Sequence, residues 1–126
     1  MKVTELVLES LRNEGFRPQI DETNGNILFK YQMYTFIFFN NDDDQEFFQL
    51  ALPNIYDVTE DNRELILEAA NKVNCGTKVA KIFIVDDTLW ASFESILDHS
   101  PEVTSIIERA LGILMHARQS FYEAIQ

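Results

Sequence analysis

Thirteen consecutive residues, Ile27–Phe39 (ILFKYQMYTFIFF), carry six aromatic side chains, and no other stretch limits the possible folds as strongly. A run this apolar is costly to leave in water, and its spacing is too broken for a helix. It reads as two β-strands joined by a tight turn. With Gln32-Met33 as the loop, Tyr31 faces Tyr34, Phe29 faces Phe36 and Ile27 faces Phe38, so these side chains share one face. A one-residue slip would mix them with Lys30 and Thr35, so the hydrophobic pattern selects the register. The reverse face carries Leu28, Lys30, Thr35, Ile37 and Phe39.

The flanking segments supply cover and further strands. Residues 3–14 predict a helix, with Val3, Leu6, Val7 and Leu11 at helical spacing. Gly15 fits the left-handed position after it, and Phe16 can fold back on Leu11. Pro18 confines residues 16–21 to a short edge strand, and Asn24-Gly25 predicts a two-residue turn. After the acidic loop Asn40–Glu46, residues 47–52 predict a third strand with Phe48, Leu50 and Leu52 on the core face, which needs an odd loop length or a bulge. Residues 53–56 read as irregular.

A second helix is expected over about 60–74, capped by Thr59 or Asp61, with Asp61 and Glu64 resembling a capping box. Its stripe is Leu65, Ile66, Ala69, Ala70 and Val73, and Gly76 ends it. Residues 78–94 predict a hairpin turning at Asp86-Asp87, with Ile84 facing Leu89, Ile82 facing Ala91 and Ala80 facing Phe93. Ser100-Pro101-Glu102 marks the start of a third helix over about 101–125. Val103, Ile106, Ile107, Ala110, Leu111, Leu114, Ala117, Phe121 and Ile125 form its stripe. The result is one α+β domain over residues 1–126: an antiparallel sheet, β-meander plus hairpin, with three helices packed on it.

Composition narrows the function classes. The formal net charge of −11 argues against nucleic acid or an anionic membrane as partner, since both require clustered Lys and Arg. The single cysteine, Cys75, forms no disulfide within the chain, and its place at a helix C-terminus disfavours a reactive thiolate. Neither a signal peptide nor a spanning segment is visible, so a cytoplasmic protein is expected.

No catalytic constellation is legible. His116 falls on the solvent side of the third helix near Arg109 and Glu123, without a nucleophile or pocket to serve. His99 belongs to the preceding loop, and the two histidines lack metal-ligand spacing. Asp42, Asp43, Asp44 and Glu46 miss the calcium-loop pattern: counted from Asp42, the required Gly and bidentate Glu are Phe47 and Pro53. Asn71 and Asn74 read as structural, capping carbonyls or holding the following strand. No cofactor, no metal and no enzymatic activity are expected.

The positive signal is an apolar surplus. If the helices cover one sheet face, Leu28, Ile37, Phe39, Phe47, Phe83, Val85 and Trp90 remain on the other, and such a patch marks an interaction site. The bland alternative is a third layer, with one helix over that face. Ile113, Met115 and Tyr122 flank the stripe of the third helix and could meet a second subunit.

In element order the chain resembles the YbjN-type family, described as bacterial sensory-transduction regulators, whose fold is similar to type III secretion chaperones. The resemblance rests on Gly15-Phe16, the aromatic hairpin with its charged continuation, Asn62-Arg63, Ala70-Asn71, Asn74 and Lys78-Val79-Ala80-Lys81. It implies a small, dimeric, non-enzymatic protein and supplies no catalytic residue. The expectation is a chaperone-like or regulatory protein-binding module acting as a homodimer. A partner-protein segment, basic to suit the acidic surroundings, would dock through Leu28, Ile37, Phe39, Phe47, Phe83 and Trp90. The alternative is a small-ligand sensor with a pocket between sheet and helices.

Overall fold

The computed structural model describes residues 2–126. The chain runs α1 (Val3–Asn13), β1 (Gln19–Ile20), β2 (Ile27–Tyr31), β3 (Tyr34–Phe38), β4 (Phe47–Asp57), α2 (Arg63–Gly76), β5 (Ala80–Val85), β6 (Thr88–Ile96) and α3 (Val103–Ile125). The strands form one antiparallel sheet in the order β1-β2-β3-β4-β6-β5. The second hairpin therefore joins the meander through β6, and β5 becomes an edge.

The aromatic hairpin takes the expected register, with Ile27 opposite Phe38, Phe29 opposite Phe36 and Tyr31 opposite Tyr34. Gln32 (φ 50°) and Met33 (φ 73°) both turn left-handed, as a two-residue loop matched to strand twist requires. The second hairpin also pairs as read, Ile84 with Leu89, Ile82 with Ala91 and Ala80 with Phe93. Phe38 pairs with Leu50, which puts Phe48, Leu50 and Leu52 on the core face through an odd-length connection.

All three helices lie on that face. Val7 and Leu11 of α1, Ile66 and Val73 of α2, and Leu114 and Phe121 of α3 share one core with Phe29, Phe36, Phe38, Phe48, Leu89 and Phe93. The molecule thus has two layers. The helix C-terminus at Gly15 is a Schellman motif: Gly15 (φ 89°) donates to the Arg12 carbonyl and Phe16 to the Leu11 carbonyl. Phe16 then packs edge-on against Phe29, with centroids 5.4 Å apart, which ties α1 to the hairpin.

Several expectations need correction. Leu65 is 54 % exposed, because Ile66, Ala69, Ala70 and Val73 alone satisfy the one-face spacing. Thr59, not Asp61, caps α2, and the box closes on Asn62 rather than on Glu64: Thr59 Oγ1 accepts the Asn62 N–H, Asn62 Oδ1 accepts the Thr59 N–H, and the Arg63 N–H donates to the Thr59 carbonyl. The first residue of α3 is Val103, and Ser100 does not cap it. Residues 53–56 are not irregular throughout, since β4 resumes pairing at Tyr56 after a register shift that contains Asn54 (φ 57°). Asn24-Gly25 closes no two-residue turn but sits within the longer connection from Ile20 to Ile27. There Gly25 (φ 80°) approaches Asn40 so closely that an added Cβ would lie 2.6 Å from its Nδ2. Ile113, Met115 and Tyr122 are half-buried and pack against the chain's own core.

Candidate functional site

Removing the helices from one side leaves a whole sheet face without a layer. Leu28, Ile37, Phe39, Phe47, Phe83, Val85 and Trp90 are each half-buried, and none belongs to the helix-side core. Strand pairing fixes their placement. One row crosses the sheet as Gln19, Leu28, Ile37, Ala51, Ser92 and Lys81. On one side of it lie Phe39, Gln49 and Glu94, and on the other Trp90 faces Phe83.

Phe39 and Trp90 stack across the row between them, with ring centroids 6.4 Å apart and planes inclined by 26°. Their meeting explains why Ala51 and Ser92, which no helix covers, are only 1 % exposed. Gln49 Nε2 donates to Ser92 Oγ at 3.2 Å beneath this aromatic lid. The Trp90 indole Nε1 is shielded from solvent and has no acceptor. An unpaired buried donor costs about 1–3 kcal/mol, which makes this corner of the face unusual among native structures.

Charge on the face does not follow the chain's acidity. The charged strand positions there are Lys30, Lys81, Glu94 and, past the register shift, Asp57. Lys81 pairs with Glu94 at 3.0 Å and lies over the Phe83 ring. At the β1–β3 end, a cleft of about 620 Å³ is lined by Phe16, Arg17, Leu28, Phe29, Lys30 and Thr35 among others. Neither Arg17 nor Lys30 has a carboxylate partner among the described residues. The sequence alone hid this cleft, because Arg17 reaches Lys30 only through the pairing of β1 with β2.

The remaining polar candidates serve the fold. Gln45 of the acidic loop accepts the Val3 N–H that opens α1, and Asn40 accepts from Thr4 Oγ1 and donates to the Asn24 carbonyl. Asp44 Oδ1 accepts the N–H of Glu46 two residues on, and Asp42 pairs with Lys2. His116 is exposed and meets Ser120 at 3.4 Å, a same-helix contact. His99 is exposed in the β6–α3 loop, and Cys75 is exposed in the last turn of α2. Asn74 grips β5: its Nδ2 donates to the Ile82 carbonyl and its Oδ1 accepts the Ile82 N–H. One arrangement had no sequence signal at all. The Arg118 guanidinium lies between the Tyr34 and Tyr122 rings at 4.4 and 4.5 Å, which joins the hairpin tip to α3.

Among the described residues, no helix is long and apolar enough to cross a membrane. No curated protein matches the chain. The solved structures that share its fold include these two. One is the crystal structure of YbjN from E. coli, "a putative transcription regulator", with a TM-score of 0.74 at 9% identity over 96% of this chain and 89% of that one. The other is an uncharacterized protein from Methanothermobacter thermautotrophicus, with a TM-score of 0.68 at 14% identity over 98% and 96% of the two chains. Because the family model described as "Putative bacterial sensory transduction regulator" matches residues 4–126, the chain belongs to the YbjN family.

Proposed function

We propose that this chain is a non-catalytic regulatory module, cytoplasmic and homodimeric, that binds a segment of a partner protein in a chaperone-like manner on the helix-free sheet face. Leu28, Ile37, Phe39, Phe47, Phe83 and Trp90 form the docking surface. The observation that carries the reading is the Phe39–Trp90 stack with its unaccepted indole N–H, on a face that no helix covers. Contiguous apolar surface of this kind marks interaction sites. The family description, a regulator rather than an enzyme, agrees with it.

The ligand-sensor alternative draws less support. The cleft between α1 and α3, lined by Ser10, Leu11, Phe16, Tyr31, Thr104 and Ile107 among others, measures about 260 Å³. Ligand pockets run to roughly 300–1,000 Å³, and the larger cleft at Arg17 and Lys30 lies at the sheet edge, not between sheet and helices as a sensor pocket of that kind requires.

Trp90 is the only tryptophan, so its emission reports on this face alone. The test compares the wild-type chain with a Phe39→Ser/Phe83→Ser double variant that retains a cooperative thermal transition. A partner held by wild type, lost by the variant and able to shift Trp90 emission when purified supports the reading. Equal capture by both chains overturns it. Sedimentation equilibrium checks the dimer, and a monomer across the accessible concentration range refutes that element.

A further inference from the structure

We infer that the segment taken by the helix-free face is acidic as well as apolar, and that Arg17 and Lys30 are its anchors. The inference rests on the docking surface proposed above and concerns its charge preference. The chain holds 21 acidic and 10 basic residues, so a basic partner would suit its average surface. Contact is decided locally, however. At physiological salt, charges more than about 8 Å from a partner are largely screened. On this face Lys81 and Glu94 neutralise each other. Asp57 stands at the far corner, beyond the register shift in β4. Of the residues that line the cleft at the β1–β3 end, Arg17 and Lys30 are the charged ones, and none is acidic.

The local backbone explains why these cations stand apart. β1 pairs with β2 only at Gln19–Leu28 and Ile20–Ile27. Continuing that register would set Pro18 opposite Phe29 and Arg17 opposite Lys30. Pro18 has no N–H to extend the ladder, so the strand stops and a cleft opens between the two cationic side chains. Its walls are apolar, from Phe16, Leu28 and Phe29. The edge of β2 past Leu28 has no strand partner, so an extended segment fits better than a helix. Such a segment would set apolar side chains against Leu28 and Ile37 and carboxylates against Arg17 and Lys30. Arg17 adds a planar fork suited to bidentate carboxylate recognition.

The test uses two synthetic nonapeptides, one alternating valine with glutamate and one alternating valine with lysine. Each is titrated into the full chain at low and at physiological salt, with Trp90 emission and amide chemical shifts as readouts. The expected result is that the glutamate peptide binds about tenfold more tightly than the lysine peptide, and more weakly as salt rises. The Arg17→Gln/Lys30→Gln variant, both positions being exposed, should fold as wild type and lose that preference. Binding of both peptides with equal affinity overturns the charge preference while the docking face stands. So does a preference that survives the double variant. Binding of neither peptide, or a homodimer that closes the face against both, overturns this inference and the docking surface beneath it.

Discussion

Replacing Asn74 by alanine should destabilise the fold by about 1 kcal/mol, through an edge strand that Asn74 does not itself belong to. Asn74 satisfies both backbone groups of Ile82, at 3.0 Å to the carbonyl and 2.8 Å from the N–H. β5 is a sheet edge, so the outward backbone groups of Ile82 have no strand to meet. Each bond contributes a net ~0.5–1.5 kcal/mol, and water can replace part of it because Asn74 is exposed. Alanine, in turn, is the better helix former by roughly 0.6 kcal/mol. The two effects leave the stated loss. Asn71 provides the control: it lies in the same helix, is exposed, and makes no side-chain hydrogen bond among the described residues. Asn71→Ala should therefore gain a few tenths of a kcal/mol from propensity alone. Urea denaturation at equal m-value measures both variants, and amide exchange at Ile82 should accelerate only in Asn74→Ala. If the two variants shift stability alike, or if Ile82 protection is unchanged in Asn74→Ala, the reasoning is refuted.

Two further substitutions test local features. Val79 is a β-branched residue held at φ 59° and exposed, so Val79→Asn should stabilise by up to ~1 kcal/mol, read as a raised midpoint in thermal denaturation. Arg118→Ala should cost about 1–2 kcal/mol, since it removes two cation–π contacts, and Arg118→Lys should cost less because the charge remains; chemical denaturation ranks the two.

The parts of this fold that the sequence discloses are those set by short-range periodicity. Ile27–Phe39 alternates with period two around a loop only two residues long, so its register follows from the residues themselves. The Gly15-Phe16 helix end is legible for a similar reason, as its bonds span five residues. What escapes depends on long-range geometry or on competing local signals. Pro53 and Asn54 break the alternation of β4, yet pairing with Leu89 and Thr88 recovers it at Tyr56 and Asp57. The second hairpin starts at Ala80 rather than 78, because Val79 turns left-handed. Ser100-Pro101-Glu102 carries every helix-start residue, yet α3 begins at Val103, whose side chain is buried in the core. The apolar rows of the open face come from period two, so Leu28, Ile37, Phe39, Phe83 and Trp90 could be placed together in advance. The cleft at Arg17 and Lys30 could not, because it arises where an edge strand stops.

A sheet can associate through its edges or its faces, and here one face, the β5 edge and the β1 part of the opposite edge are obstructed, while the edge of β2 past Leu28 stays open. The outer edge of β5 is occupied at its middle by the Asn74 side chain. The opposite edge, β1, is two residues long, preceded by Pro18 and flanked by Arg17, features that discourage strand-to-strand assembly. One face is filled by α1, α2 and α3. Protecting edges this way while leaving eight large apolar side chains on the other face, Ile96 beside Phe47 included, would be a poor arrangement for solubility alone, since exposed apolar surface invites non-specific association. The net charge of −11 offsets that liability through repulsion between copies, whereas the charged strand positions of the open face, Lys30, Lys81, Glu94 and Asp57, carry as many cations as anions. Arg17 and Lys30 are instead the unpaired charges at the one end where the sheet edge is also open. Obstructed edges, repulsion at a distance and an apolar face with a local cationic end fit selective engagement of one kind of segment better than they fit indiscriminate stickiness.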